Sequence, residues 1–160
     1  MKLLGLCLST LMATGTPAAP PDGVPVFLPI TTLTLAWTHS IEKVRWEEDY
    51  QVVVRDGLLW LEATEARVKG SAAGMEPPQD ARWVQGWFAY TPTLRHLPQL
   101  RLSRSEYAAD YELCAQGRCQ PLTTWLGARQ GYALVQPCTK PAVHAPNPVI
   151  KPPPAPGSSG

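Results

Sequence analysis

Asp56-Gly57 stands between two runs of alternating apolar residues, Val44 to Arg55 before it and Leu58 to Val68 after it, and this arrangement is a β-hairpin signal. A two-residue connection of this kind needs positive φ at both positions, which Asp tolerates and Gly adopts freely. Carried outward from the turn without interruption, the register sets Val54 opposite Leu59, Val52 opposite Leu61, Tyr50 opposite Ala63, Glu48 opposite Glu65 and Trp46 opposite Arg67. Further short runs, bounded by Gly and Pro, read as extended: Val24 to Ile30, Thr31 to Thr38, Trp83 to Tyr90, Leu97 to Ser103, Tyr111 to Cys114, Cys119 to Leu122 and Tyr132 to Val135. Thr123 to Arg129 offers one helical turn, and no longer segment carries a helical period. The expectation is an all-β chain, a single antiparallel β-sandwich or small barrel of about seven or eight short strands.

A chain of 160 residues can bury one core, so one domain is expected. Met1 to about Ala19 reads as a signal peptide: Lys2 is the positive start, Leu3 to Met12 the apolar stretch, and Thr16-Pro17-Ala18-Ala19 the small-residue exit. The apolar stretch falls short of the ~18 residues a membrane span requires, and no later segment reaches that length. Cys7 follows Leu4-Gly5-Leu6 rather than a small residue, so no lipid attachment is indicated, and Cys7 is expected to leave with the leader. The β domain is expected over 24–138, exported to the periplasm or secreted. Residues 139–160 are rich in proline and poor in aliphatic side chains; this composition cannot offset ordering entropy and predicts a disordered, polyproline-leaning tail. A formal net charge of +1 provides no basic footprint for nucleic acid.

Cys114 and Cys119 bracket Ala115-Gln116-Gly117-Arg118, which places both thiols at the neck of a hairpin within disulfide reach. The chain-entropy model assigns so small a loop only about 2 kcal/mol. Cys138 is then the odd thiol. A zinc site from Cys114, Cys119, Cys138 and His144 is the competing reading, but its spacings do not match the usual ligand pairs.

Trp37-Thr38-His39-Ser40-Ile41-Glu42-Lys43-Val44-Arg45-Trp46-Glu47-Glu48-Asp49-Tyr50 concentrates the unusual chemistry. With the chain reversing around Lys43-Val44, His39 faces Glu48 and Trp37 faces Tyr50; with the Asp56-Gly57 register, Glu65 and Arg67 join them. The cluster His39, Glu48, Glu65 and Arg67 is therefore expected on one face. It is either a charge-satisfied structural plug or a pocket with walls Trp37, Trp46 and Tyr50, in which Arg67 and His39 hold a small anion. Arg67 beside the carboxylates opposes a metal ion there. Ser40 and His39 are consecutive and on a strand point to opposite faces, which disfavours a nucleophile and base pair. Trp60, Trp83, Trp87 and Trp125 read as core or rim, and His96 as exposed without a partner. Gly70 and Gly74 lie in a Gly, Ala and Pro loop over 69–80; no Gly-Lys-Ser or Gly-Lys-Thr follows, so no nucleotide cofactor is implied.

The order Trp37-Thr38-His39-Ser40-Ile41-Glu42, Trp46-Glu47-Glu48-Asp49-Tyr50, Ala73-Gly74-Met75-Glu76-Pro77-Pro78, Asp110-Tyr111-Glu112-Leu113-Cys114 with Cys119, and Pro137-Cys138 resembles the bacterial domain-of-unknown-function family numbered 1850. The resemblance implies a small exported domain, often encoded beside tripartite uptake transporters of the TAXI-TRAP kind, with no assigned catalytic residues. Three functions follow as expectations. The first is a non-catalytic accessory domain that binds a transporter component or a small anionic ligand. The second is an enzyme using Glu48 and Glu65 as acid and base. The third is a purely structural secreted domain.

Overall fold

The computed structural model describes residues 1–12, 25–70 and 78–141. The described elements, in chain order, are β1 (Lys2–Leu11), β2 (Val26–Leu28), β3 (Thr32–Thr38), β4 (Arg45–Arg55), β5 (Leu58–Lys69), β6 (Arg82–Val84), β7 (Trp87–Tyr90), β8 (His96–Leu97), β9 (Leu100–Ser103), β10 (Glu112–Ala115), β11 (Arg118–Pro121), α1 (Thr123–Leu126) and β12 (Tyr132–Pro141). Asp56 at φ 51° and Gly57 at φ 75° close β4 onto β5 as the turn chemistry demands. The same pairing of a polar residue with glycine, both at positive φ, closes β6 onto β7 at Gln85-Gly86 and β10 onto β11 at Gln116-Gly117.

These hairpins assemble into two open antiparallel sheets. The larger runs β11-β10-β3-β4-β5-β7-β6 with β8 also on β5, and the smaller runs β2-β1-β12-β9. Their facing sides share one core: Leu6, Leu8, Leu100, Leu102, Ala133 and Val135 from the smaller sheet meet Leu33, Leu35, Tyr50, Leu61, Ala63 and Leu113 from the larger. The architecture is thus a sandwich rather than a barrel. It has more strands than the sequence suggests because β1 reads as a leader and because β6 and β8, only three and two residues long, do not separate from their neighbours by pattern. Alternation is not readable over such lengths. Among the described residues, no helix is long and apolar enough to cross a membrane.

The largest departure from expectation is at the N-terminus. Residues expected to form a leader form β1, which pairs with β12 from Lys2↔Pro141 to Leu11↔Tyr132 and with β2 from Leu6↔Leu28 to Leu8↔Val26. Leu6 and Leu8 are fully buried, and burial of two such side chains is worth roughly 3–6 kcal/mol. Gly5 is required where β2 crosses, since a Cβ there would run into the Leu28 carbonyl and the Phe27 ring. Cys138 is not the odd thiol: in the full chain it forms a disulfide with Cys7, their Cα atoms 5.9 Å apart. A short apolar run reads alike as a leader or as a buried strand, because periodicity does not separate the two. At the other end, Thr139 to Pro141 continue β12, and the rest of the expected proline-rich tail lies outside the described residues.

Candidate functional site

The β4–β5 register decides which polar residues meet. It runs as expected from Arg55↔Leu58 to Tyr50↔Ala63, and then a bulge at Thr64 shifts it, so that Asp49 faces Glu65, Glu48 faces Ala66, Glu47 faces Arg67 and Trp46 faces Val68. One extra residue moves every later side chain of β5 to the other face. Glu65 and Arg67 therefore lie on the outer face with Glu47 and Asp49, while Glu48 remains on the inner face, and the expected pairing of Glu48 with Glu65 and Trp46 with Arg67 is corrected.

On the outer face Arg67 donates from Nε to Glu47 at 2.8 Å and from Nη1 to Asp49 at 2.7 Å, and its Nη1 lies 3.4 Å from Glu65. Arg45 bridges Glu47 at 2.8 Å and Glu112 at 2.6 Å, Arg82 reaches Glu65 at 2.7 Å, and Thr34 donates to Asp49 at 2.6 Å. The result is an ion ladder across the sheet from β10 to β6. Burial alone would lower the Arg67 pKa, but its hydrogen bonds to Asp49 and Glu47 outweigh that and raise it. Three carboxylates around one guanidinium leave no positive charge to spare for an anion, so Arg67 serves the sheet.

The β3–β4 pairing also differs from expectation. Trp37 faces Trp46, Leu35 faces Glu48 and Leu33 faces Tyr50, because the chain reverses earlier, over Ser40 to Lys43. His39 sits at the mouth of that turn: its N–H donates to the Val44 carbonyl and its Nδ1 accepts the Glu42 N–H at 3.2 Å, which puts the proton of a neutral ring on Nε2. Rings from three elements stand in a row on the inner face, with Trp37 6.0 Å from both Trp46 and Tyr111, and His39 6.2 Å from Trp46. Glu48 accepts a short hydrogen bond from the Tyr50 hydroxyl. Burial first, and then the Glu48 charge, raise the pKa values of Tyr50, Tyr90 and Tyr111. Tyr50 belongs to the hydrophobic core.

Between the end of β3 and the β9–β10 connection lies a cleft of about 280 Å³. Trp37, His39, Ser40, Ser103, Ser105 and Tyr111 are among the residues that line it. Because the chain bends at His39, Ser40 shares the cleft with it, although His39 Nδ1 is taken by the Glu42 N–H. Beneath them Arg104 and Asp110 form a buried pair, with Nε to Oδ1 and Nη2 to Oδ2 both at 3.1 Å and side chains 0% and 5% exposed. Arg104 also donates to the Gly127 and Ala128 carbonyls, and Asp110 accepts the Tyr111 and Thr123 N–H groups. Burial on its own would raise the Asp110 pKa, but hydrogen bonds from Arg104 and Thr123 outweigh it and hold the carboxyl below its ordinary value.

The family model described as a domain of unknown function, DUF1850, matches residues 33–122. The chain belongs to the DUF1850 family. No curated protein and no solved structure matches it. The DUF1850 match contains the residues that line the cleft, the Arg104–Asp110 pair and the whole ion ladder, whereas β1 and β12 lie outside it.

Elsewhere in the DUF1850 domain, Cys114 and Cys119 are disulfide-bonded as expected. The zinc alternative falls, since these cysteines and Cys138 are all bridged and no metal-holding cluster of His, Cys, Asp or Glu exists among the described residues; His144 and Gly74 lie outside them. His96 is not unpartnered: it contacts Glu62 at 2.8 Å and Arg55 at 3.0 Å. Trp125 packs on the core and Trp87 lies under Lys69 and Arg67. Sequence reasoning missed Arg104, although a signal was present: Leu100, Leu102 and Arg104 continue one inward alternation.

Proposed function

We propose that this DUF1850 domain is a non-catalytic binding domain that works in an oxidising compartment outside the cytoplasm and holds a small, acceptor-rich ligand in the cleft that Trp37 and Tyr111 line together. The observation carrying this reading is the cleft itself, a concavity lined by the contacting rings of Trp37 and Tyr111 and by His39, Ser40, Ser103 and Ser105. The Arg104 charge beneath it is matched by Asp110, so recognition rests on neutral donors rather than an ion pair. Two disulfides and no free cysteine among the described residues suit an oxidising compartment. Service to a tripartite TRAP-type uptake transporter is the setting we propose from the family resemblance, with export delivering a domain that retains β1. Acid and base catalysis by Glu48 and Glu65 loses its support, because the two carboxylates occupy opposite faces of the sheet. NMR screening of small polar metabolites against the ¹⁵N-labelled chain tests the reading. Hits should perturb the Trp37 indole and the Ser103 to Tyr111 amides and be lost in Trp37→Ala, whereas hits that map to the outer face around Arg67 refute the cleft.

A further inference from the structure

The two disulfides differ in their surroundings. Cys7 lies on β1 between β12 and β2, with Phe27 opposite it, and both Cys7 and Cys138 are half-buried. Cys114 and Cys119 are directly opposite each other on β10 and β11, with their Cα atoms 3.9 Å apart, and Cys119 is exposed. Both line a groove of about 600 Å³ together with Thr32, Thr34 and Gln51. Asp49, the acidic residue of that lining, is bonded to Arg67, and Arg118 also lines the groove, so an approaching thiolate meets no uncompensated negative charge there.

In thiol–disulfide exchange a thiolate attacks one sulfur in line with the bond that breaks, so access along that line decides which sulfur reacts. Because the bridged residues are cross-strand partners, the bond lies across the strands. On the Cys114 side its line continues over β3, where Thr34 is directly opposite Cys114 on the same face and is hydrogen-bonded to Asp49. On the Cys119 side it leaves the sheet, since β11 is the edge strand among the described elements. The Cys119 sulfur is therefore the one open to attack, and Cys114 is the leaving group. Breaking the bond does not release the hairpin. Gln116-Gly117 still closes it, β10 stays paired with β3, and Leu113 and Leu122 remain buried. Both thiols stay within reach, and the bridge can re-form.

We propose that the Cys114–Cys119 bridge is a thiol–disulfide exchange site for a protein dithiol, attacked at Cys119. One thiolate of the partner bonds to the Cys119 sulfur, and the electron pair of the broken bond leaves on Cys114, which takes a proton from water. The partner's second thiolate then displaces Cys119, so the partner is oxidised to a disulfide and the bridge is reduced to two thiols. The site is distinct from the aromatic cleft, to which neither cysteine contributes.

The test treats the full oxidised chain with a molar excess of reduced thioredoxin as the probe dithiol, alkylates at intervals, maps the peptides, and follows the fold by ¹H–¹⁵N spectra. Cys114–Cys119 should be reduced faster than Cys7–Cys138 by roughly tenfold or more, with shifts confined to β10, β11 and their neighbours. Equal rates, no reduction of Cys114–Cys119 at equilibrium, or its reduction only with global unfolding overturns the site. Single-cysteine variants test the point of attack. The Cys119 thiol of Cys114→Ser should react with oxidised glutathione roughly tenfold faster than the Cys114 thiol of Cys119→Ser, because exchange uses the same in-line approach in both directions. The wild-type chain gives the same answer without substitution: after brief reaction with reduced glutathione and an acid quench, the mixed disulfide should map to Cys119. A mixed disulfide on Cys114, or equal rates in the two variants, overturns the assignment.

Discussion

The Cys7–Cys138 disulfide ties the first strand to the last, and its removal is the most informative perturbation of this fold. The bridge closes a separation of 131 residues, and the Cys114–Cys119 bridge one of only 5. In the chain-entropy model the first contributes about 5 kcal/mol and the second about 2 kcal/mol, because the restriction of the unfolded chain grows with the logarithm of loop length. The expected outcome is that Cys7→Ala/Cys138→Ala lowers Tm by about 15–20 °C and Cys114→Ala/Cys119→Ala by about 7 °C, given the unfolding entropy of a domain of this size. Since total stability is about 5–15 kcal/mol, the first variant sits near the threshold and is best measured by urea titration below room temperature. Non-reducing peptide mapping of the protein recovered from its native cells is the companion assay, in which the Cys7 peptide should travel with the Cys138 peptide. If the Cys7 pair is no more costly to remove than the Cys114 pair, or if mature protein lacks Cys7, the reasoning fails: β1 is then a leader after all.

Asp110→Ala leaves the fully buried Arg104 guanidinium without its counter-charge and should cost about 3–5 kcal/mol by denaturant unfolding, whereas Arg104→Met/Asp110→Leu should recover most of that loss. Because the folded-state pKa of Asp110 lies below its unfolded value, the pair's contribution is complete above the ordinary Asp pKa and is lost as pH falls through the folded value; a stability profile that is flat in acid would contradict the assignment. The bulge makes a different claim about the two adjacent glutamates. From uninterrupted pairing, Glu47→Ala should be silent and Glu48→Ala should cost roughly 3 kcal/mol. With the bulge, Glu47 is 15% exposed and bonded to two arginines, and Glu48 holds the hydroxyl of buried Tyr50, so both substitutions should cost about 1–2 kcal/mol in matched melting curves. A silent Glu47→Ala would mean that the register slips back in solution.

Local chemistry was enough to establish the all-β class, the Asp56-Gly57 hairpin, the Cys114–Cys119 bridge and the inward placement of Trp37, because each depends on alternation and turn geometry over a few residues. The bulge was also legible in principle: apolar positions fall at Leu59, Leu61 and Ala63 and then at Ala66 and Val68, a change of phase at Thr64. Its consequence was not legible, since which face Arg67 joins depends on how β4 and β5 share that extra residue. The four-residue cluster fails for the same reason. His39 and Glu48 remain on the inner side while Glu65 and Arg67 cross to the outer, and period-two geometry turns a single inserted residue into a change of face. The role of Lys2–Leu11, the partner of Cys138, and the meeting of Arg104 with Asp110 beneath the cleft were decided only by tertiary structure. Each joins segments whose contact is set by how two sheets stack, and no local pattern records which distant strand will supply the other half of a core.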